Sequence, residues 1–489
     1  MNWKPYAARP PIPLAMSAIK RMTAIAKRPL PQREVNPQRR LPSPKGWWNK
    51  LPRKGLPPPK MPLPPKAVPH PPPGARAPAA VVGAATANVA ADSPKFPMTN
   101  PDFLSAAQDL FPYTRDLRRD FHMHPELGFR EVRTAGIVAR ELRALGLEVS
   151  TGVAETGVVA LLEGAHPGPT VLVRFDMDAL PVTEETGAPY ASQTEGLMHA
   201  CGHDGHTAIG LTVARMLHAR RADLRGTVKF VFQPAEEGLG GAARMVAEGV
   251  LENPRPRHTL ALHLWNSAPL GWLGVAPGPV MAAAEFFRLR LRGRGGHGAI
   301  PDAAADPIVA AAQVVSALQS VVSRNVPPRE TAVVSVTHIR AGETFNVIPP
   351  DALLEGTIRT FQPEVRETVL RRFREVVEGV SAAMGCRAEI EFMDYTPAVV
   401  NDPAVTALVR QAAAKVLPES HVESEYATMG SEDMAFMMQE VPGCYFFVGS
   451  ANPEKGLDAP HHHPRFDFDE RVLPRAAALM AQAVWEVVG

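Results

Sequence analysis

Only three cysteines, Cys201, Cys386 and Cys444, occur in 489 residues, too few and too scattered for a disulfide framework. That scarcity fits a reducing compartment, and the expected location is the cytoplasm. No run of about 18 apolar residues occurs, so no membrane-spanning helix is expected. A secretory leader is not supported either, because the basic start lacks a continuous apolar core and the Ala/Val-rich stretch at 77–91 lies too far in. Acidic residues are nearly missing from the first 97 positions, which hold 2 Asp+Glu against 17 Lys+Arg, a balance of +15; the remainder holds 48 against 35, or −13. The net charge of +2 therefore hides two different materials.

The basic segment also contains 23 of the 51 prolines. Proline removes backbone donors and fixes φ, so residues 1–97 are expected to be a disordered extension. Clustered Lys and Arg attract polyanions, and a tether to nucleic acid or membrane is the functional alternative. A solvated tail, or a start assigned upstream of Met98, is the simpler reading, so neither nucleic acid nor membrane is expected as a partner.

From Pro101 onward helical and strand patterns alternate, the signature of an α/β layer structure. One helix is expected over Asp102–His122 and another over Glu131–Leu145. A strand at Gly157–Glu163 is expected to pair with the apolar run Thr170–Phe175, followed by a helix from His206 to Arg220 and a strand at Thr227–Gln233. Between Glu285 and Ala398 the order reads β-α-β-β-α-β, the ferredoxin-like arrangement, placed as an insertion because a helix at Asp402–Val416 and a strand at Gly443–Val448 resume afterwards.

Chemistry concentrates at strand ends. The segment Met198-His199-Ala200-Cys201-Gly202-His203-Asp204-Gly205-His206 packs three histidines, a thiol and a carboxylate into nine positions. Thiolate and imidazole are good borderline-soft ligands, and the glycine between Cys201 and His203 lets both turn toward one ion. At the end of the next strand stands Phe232-Gln233-Pro234-Ala235-Glu236-Glu237-Gly238. Adjacent carboxylates point in different directions, so Glu237 can bind a metal while Glu236 faces a water as general base. Further ligand candidates are His263, in the apolar run Leu260–Leu264, and the triplet His461-His462-His463, which lies inside the chain and not where a tag would sit. In Asp176-Met177-Asp178 either carboxylate can ligate or orient a ligand histidine, with Asp178 preferred. Cys201 as a nucleophile is the competing reading, but a ligand role accounts for more of its neighbours.

With these motifs in place the chain resembles the co-catalytic metallopeptidases that include aminoacylases, hippurate hydrolases and plant indole-acetyl-amino-acid hydrolases, a branch of peptidase family M20. The likeness covers about residues 105 to 488 and rests on six motifs in the family order: His122-Met123-His124-Pro125-Glu126-Leu127, Arg174-Phe175-Asp176-Met177-Asp178-Ala179-Leu180-Pro181, His199 to His206, Gln233 to Glu237, Gly295-Gly296-His297-Gly298, and His462-His463-Pro464-Arg465-Phe466. It implies a mixed-sheet, zinc-peptidase-like catalytic domain in two parts, 98–284 and 399–489, with residues 285–398 as an inserted ferredoxin-like lid that supports a homodimer. It also implies Cys201, His203, Glu237, His263 and His462 as ligands of two divalent ions per subunit, Mn or Zn first and Co or Ni next. Glu236 is then the base and Asp178 the supporting residue. His297 would reach the reacting carbonyl, typically of the partner subunit, and Asn346 and Arg359 would contact the substrate carboxylate. The implied reaction is hydrolysis of the amide of a small N-acyl amino acid. An N-acetyl-diaminopimelate-type deacetylase, a small-peptide carboxypeptidase and a catalytically silent metal-binding scaffold are the alternatives.

Overall fold

The computed structural model describes residues 101–488; the extension expected over residues 1–97 lies outside them. In chain order the first half runs α1 (Phe103–Asp109), α2 (Phe111–Met123), α3 (Val132–Ala144), β1 (Glu148–Val153), β2 (Gly157–Glu163), β3 (His166–Asp176), α4 (His203–Ala219) and β4 (Arg225–Gln233). Then come α5 (Gly241–Ala247), β5 (His258–Pro269), β6 (Trp272–Gly274) and β7 (Gly278–Met281). The expected helix over Asp102–His122 is thus two helices. Proline inside a helix clashes with the carbonyl four residues back, and Pro112 is tolerated because α2 restarts there, with the proline in its first turn.

The segment that follows contains β8 (Ala283–Arg292), β9 (Gly296–His297), α6 (Pro307–Asn325), β10 (Ala332–Ala341), β11 (Val347–Ile348), β12 (Asp351–Thr360), α7 (Pro363–Ala383) and β13 (Arg387–Thr396). Four of these strands form an antiparallel sheet in the order β10-β12-β8-β13, and its apolar face closes with α6 and α7 on a core of its own, among them Phe287, Leu289, Val314, Leu354 and Phe373. The chain ends with β14 (Val399–Asn401), α8 (Pro403–Val416), β15 (His421–Glu423), α9 (Ala435–Glu440), β16 (Gly443–Ala451) and α10 (Val472–Val488).

The larger sheet has eight strands in the order β1-β2-β4-β3-β5-β16-β6-β15. β2 and β3 are not neighbours, contrary to the pairing expected for Gly157–Glu163 and Thr170–Phe175: β4 lies between them, antiparallel to β2 and parallel to β3. Parallel strands cannot be joined by a tight hairpin, so the crossover through α4 sends β4 to the free side of β3. The central strands are buried on both faces. Val171, Val173 and Phe175 of β3 enter one core with residues of α4 and α10, while Leu172 enters a second core with residues of α5 and α9. This architecture leaves the ends of β3 and β4, the start of α4 and the middle of β5 facing a common cleft, where open α/β sheets place ligands.

Candidate metal centre and active site

Gly202 precedes α4 with φ +91, a conformation that bulky residues rarely adopt, and this sharp turn brings the side chains on either side of it together. His203 Nδ1 lies 2.9 Å from the Asp178 carbonyl oxygen and 3.2 Å from its carboxylate. With Nδ1–H so engaged, Nε2 carries the lone pair, and it is buried without a hydrogen-bond partner. Asp178 serves a second neighbour, accepting from the Glu237 N–H at 2.9 Å. His263 donates Nδ1–H to the Leu264 carbonyl at 2.7 Å, which turns Nε2 to within 3.5 Å of Cys201 Sγ. Of the histidine triplet, His462 is the member whose Nε2 lies 3.3 Å from Glu237 Oε1, and its backbone is held at φ +66. His461 instead gives its Nε2–H to the Leu264 carbonyl at 2.9 Å.

Two groups of potential ligand atoms meet at Cys201, one with His203 and His263 and the other with Glu237 and His462, each within 4.8 Å of one another. Burial pushes the Cys201 thiol well up, and the Glu237 carboxylate adds to it. A thiol in such surroundings ionises only against a cation, and His203 Nε2, 3.6 Å from Asp176 Oδ2 but without a hydrogen bond, is open to the same cation; a thiolate, imidazole and carboxylate donor set suits Zn²⁺ or Mn²⁺. The residues fit the two metal ions.

Glu236 follows Ala235, which is held in the left-handed region at φ +56. The Ala235 N–H donates to the buried Glu131 carboxylate at 2.9 Å. At Gly241 a Cβ would stand 1.7 Å from the Pro234 carbonyl oxygen, so only glycine allows the chain to fold back on itself after the acidic pair. Carboxylate oxygens of Glu236, Glu432 and Asp433 lie within 4.8 Å of one another. Burial, then Glu432 and Glu237, hold the Glu236 carboxyl well above the usual carboxylate range.

Beneath the acids lies Arg174, fully buried. Its guanidinium donates to Gln233 Oε1 at 2.8 Å, Asp176 Oδ2 at 2.7 Å, Glu432 Oε1 at 2.8 Å and Asp433 Oδ1 at 3.2 Å. Tyr445 Oη adds a bond to Glu432 at 2.7 Å. Asp176 also binds His206 Nδ1 at 2.6 Å, and His206 Nε2 accepts the Leu264 N–H at 2.9 Å, so this histidine is spent on joining α4 to β3 and β5. A second buried network ties α2 to α4: Arg118 donates to Asp204 at 2.8 Å and to Asp467 at 2.7 Å, while His122 Nδ1 lies 2.8 Å from Asp204. Burial opposes a charge on His122, but Asp204 outweighs it and raises the imidazole. Sequence reasoning missed Glu131, Glu432 and Asp433, gave Arg174 no role, and preferred Asp178 to Asp176, which orients His206. Two signals were present. Arg174 stands in an apolar strand, where a charge must be paired, and Glu432-Asp433 repeats the adjacent-acid pattern before an apolar run.

A cavity of about 690 Å³ opens over Cys201, Glu236, Glu237, His263 and His462 and extends to Arg359. Arg359 is half-buried, bonded to the Thr357 hydroxyl and the Ile358 carbonyl, and paired with no carboxylate among the described side chains. Burial lowers its affinity for a proton. His297 and Asn346 are not part of this cavity. Both are exposed at the β9–β11 pair, where the Gly298 N–H donates to the Asn346 carbonyl at 2.8 Å.

Sequence comparison finds an N-acetylcysteine deacetylase of Bacillus subtilis that is 42% identical over 368 residues, 75% of this chain and 94% of that protein. The IAA-amino acid hydrolase ILR1-like 4 of Arabidopsis thaliana is 38% identical over 77% of this chain and 86% of its own length. Among solved structures, the Bacillus subtilis YXEP protein, described as a dinuclear metal binding peptidase from the M20 family, superposes with a TM-score of 0.68 at 37% identity, covering 78% of this chain and 99% of that one. The sequence pattern of peptidase family M20/M25/M40 matches residues 172–486, which span the thiol-histidine turn, the acidic pair and the histidine triplet, and the chain belongs to that family of metal-dependent hydrolases.

Proposed function

We propose that this enzyme hydrolyses the amide bond of N-acyl amino acids, releasing a carboxylic acid and a free amino acid. The observation that carries the proposal is a carboxyl base beside two converging ligand groups, in a cavity that also holds an arginine without a carboxylate partner. Cys201, His203, Glu237, His263 and His462 hold the metals in this reading, with Mn²⁺ or Zn²⁺ ahead of Co²⁺ and Ni²⁺. When bound, two divalent ions polarise the scissile carbonyl and lower the pKa of water from about 15.7 toward ~7. Asp178 fixes the His203 ring and the Glu237 backbone. Glu236 takes the proton of the attacking water and delivers it to the leaving amine. Arg359 presents a planar fork to the substrate carboxylate. Residues 285–398 act as a lid, and His297 and Asn346 serve the site of the other subunit in a homodimer, which accounts for their exposure outside their own cavity. A reducing, cytoplasmic setting agrees with three free buried cysteines.

The similarity to carboxypeptidases, such as the thermostable carboxypeptidase 1 of Saccharolobus solfataricus at 38% identity, keeps small peptides as the second substrate class. A panel of N-acyl amino acids, N-acetyl-diaminopimelate and dipeptides, assayed after chelation and re-addition of each metal, tests the reading. Hydrolysis of N-acyl amino acids restored by Mn²⁺ or Zn²⁺ is expected. In Glu236→Gln, kcat falls by roughly 10²–10⁴ with metal content unchanged. Full turnover in the chelated protein, or in that variant, sinks the mechanism.

A further inference from the structure

The first histidine of the 461–463 triplet joins neither ligand group, and its contacts point to another task. β5 pairs with β3 only as far as Ala261, opposite Arg174. Past the end of a ladder, buried backbone groups need partners from elsewhere. The two backbone groups of Leu264 find them in three imidazoles. Its N–H donates to His206 Nε2 at 2.9 Å, and its carbonyl accepts His263 Nδ1–H at 2.7 Å together with His461 Nε2–H at 2.9 Å. A carbonyl oxygen has two lone pairs, so these two donors fill it.

His461 is itself held firmly. Its ring lies 4.8 Å from the Trp265 indole, tilted by 30°, and 5.1 Å from the Phe466 ring, tilted by 37°. It also meets the His263 ring edge-on, with centroids 5.1 Å apart at 76°. The acceptor on which His263 depends is thus fixed from two sides, by His206 of α4 through the Leu264 N–H and by His461 through the same oxygen that His263 uses. A ligand histidine whose second nitrogen is anchored keeps its tautomer and its ring orientation. For His263 that orientation is the one that places Nε2 3.5 Å from Cys201 Sγ. We propose that His461 is a positioning residue: its bond to the Leu264 carbonyl, made against the His263 ring, holds His263 Nε2 toward the ion shared with Cys201 and His203. This rests on the metal-site reading above. Loss of the His461 donor leaves the Leu264 carbonyl still bonded to His263, so its effect belongs in metal affinity and not in folding.

The test is a calorimetric titration of the chelated full chain with Zn²⁺, in which two binding steps are expected. His263→Ala removes a ligand and identifies the step that belongs to the group with Cys201 and His203. His461→Phe keeps the ring between Trp265 and Phe466 but lacks the donor; it should weaken that step by about 10–100-fold, the scale on which loss of such an outer partner acts, and leave the other within about twofold. His461→Gln lacks the ring but keeps an N–H donor, and it should recover most of the loss. His461→Leu replaces the phenylalanine variant if the larger ring does not fit. Both steps are read from one preparation, so unfolded chain lowers the stoichiometry of both without changing the ratio of their affinities. Unchanged affinities in His461→Phe, weakening of both steps alike or of the other step, or a glutamine variant no better than phenylalanine overturns the positioning role and leaves the metal site standing. A wild-type chain that takes up no Zn²⁺ overturns both.

Discussion

Arg174 shows how much of the centre depends on one cation. It faces Asp176, Glu432 and Asp433 and is itself fully buried; burial opposes its charge, and these carboxylates more than offset that, holding the guanidinium well above its ordinary range. Replacing one partner of a buried ionic cluster leaves the others uncompensated, at a cost of about 3–5 kcal/mol. Arg174→Met should therefore lower stability by that amount in urea titrations; a loss under 1 kcal/mol would show that the acids repack or take up protons. Glu131 makes the opposite case. Its buried carboxyl is pushed up to about 7, first by desolvation, although it accepts from Thr156 Oγ1 at 2.6 Å and from the strained Ala235. A carboxyl whose folded pKa is raised stabilises the native state in its neutral form. That contribution is complete below the unfolded value near 4.5 and is lost as the pH rises through about 7. Glu131→Gln keeps an acceptor for Ala235 without the charge, so it should gain on the wild type by roughly 2–3 kcal/mol between pH 5 and pH 8. An offset that stays constant with pH would refute the assignment.

At the scale of elements, the spacing between α4 and the sheet decides where His203 stands. A Cβ at Gly210 would come within 2.6 Å of the Phe175 ring and 2.8 Å of the Phe232 ring, the last apolar residues of β3 and β4 before Asp176 and Gln233. Alanine is the better helix former by about 0.5–1 kcal/mol, but overpacking of this kind costs about 1–3 kcal/mol, so the clash wins. Gly210→Ala is expected to shift the denaturation midpoint downward with an unchanged slope; a stabilised variant would mean that α4 has slack. Such spacing is invisible in sequence, where Gly210 is one residue of an apolar helix. The alternation of helix and strand patterns, and the β-α-β-β-α-β order after Glu285, were legible because they are periodic and local. The break at Leu110 was not, since the periodicity continues across it, and the insertion of β4 between β2 and β3 depends on a crossover that no local pattern encodes. At the site, Cys201 with His203 and Glu236 with Glu237 could be read because turn and ligand are contiguous. The bond from Arg174 to Glu432 joins residues 258 apart, and only the fold makes them neighbours.

For the whole molecule, the exposed position of His297 poses a question of assembly. It stands outside the cavity, beside Asn346, in a region that also exposes Ile300, Phe345 and Val347, with Phe345 fully in solvent. Isolated exposed apolar residues need no explanation, but several around a pair of polar groups suit an interface. If two copies exchange these residues in a closed dimer, each active site draws Glu236 from one chain and His297 from the other. Glu236→Ala and His297→Ala should then each be inactive alone yet complement one another when mixed through a dissociating step. Random reassortment makes half the dimers mixed, and each mixed dimer has one site with both wild-type groups, so about a quarter of wild-type activity should return. Activity that stays at the level of the parents places His297 outside the reaction or in its own subunit's site; measured across mixing ratios, a maximum near equal amounts of the two variants identifies exchange between chains.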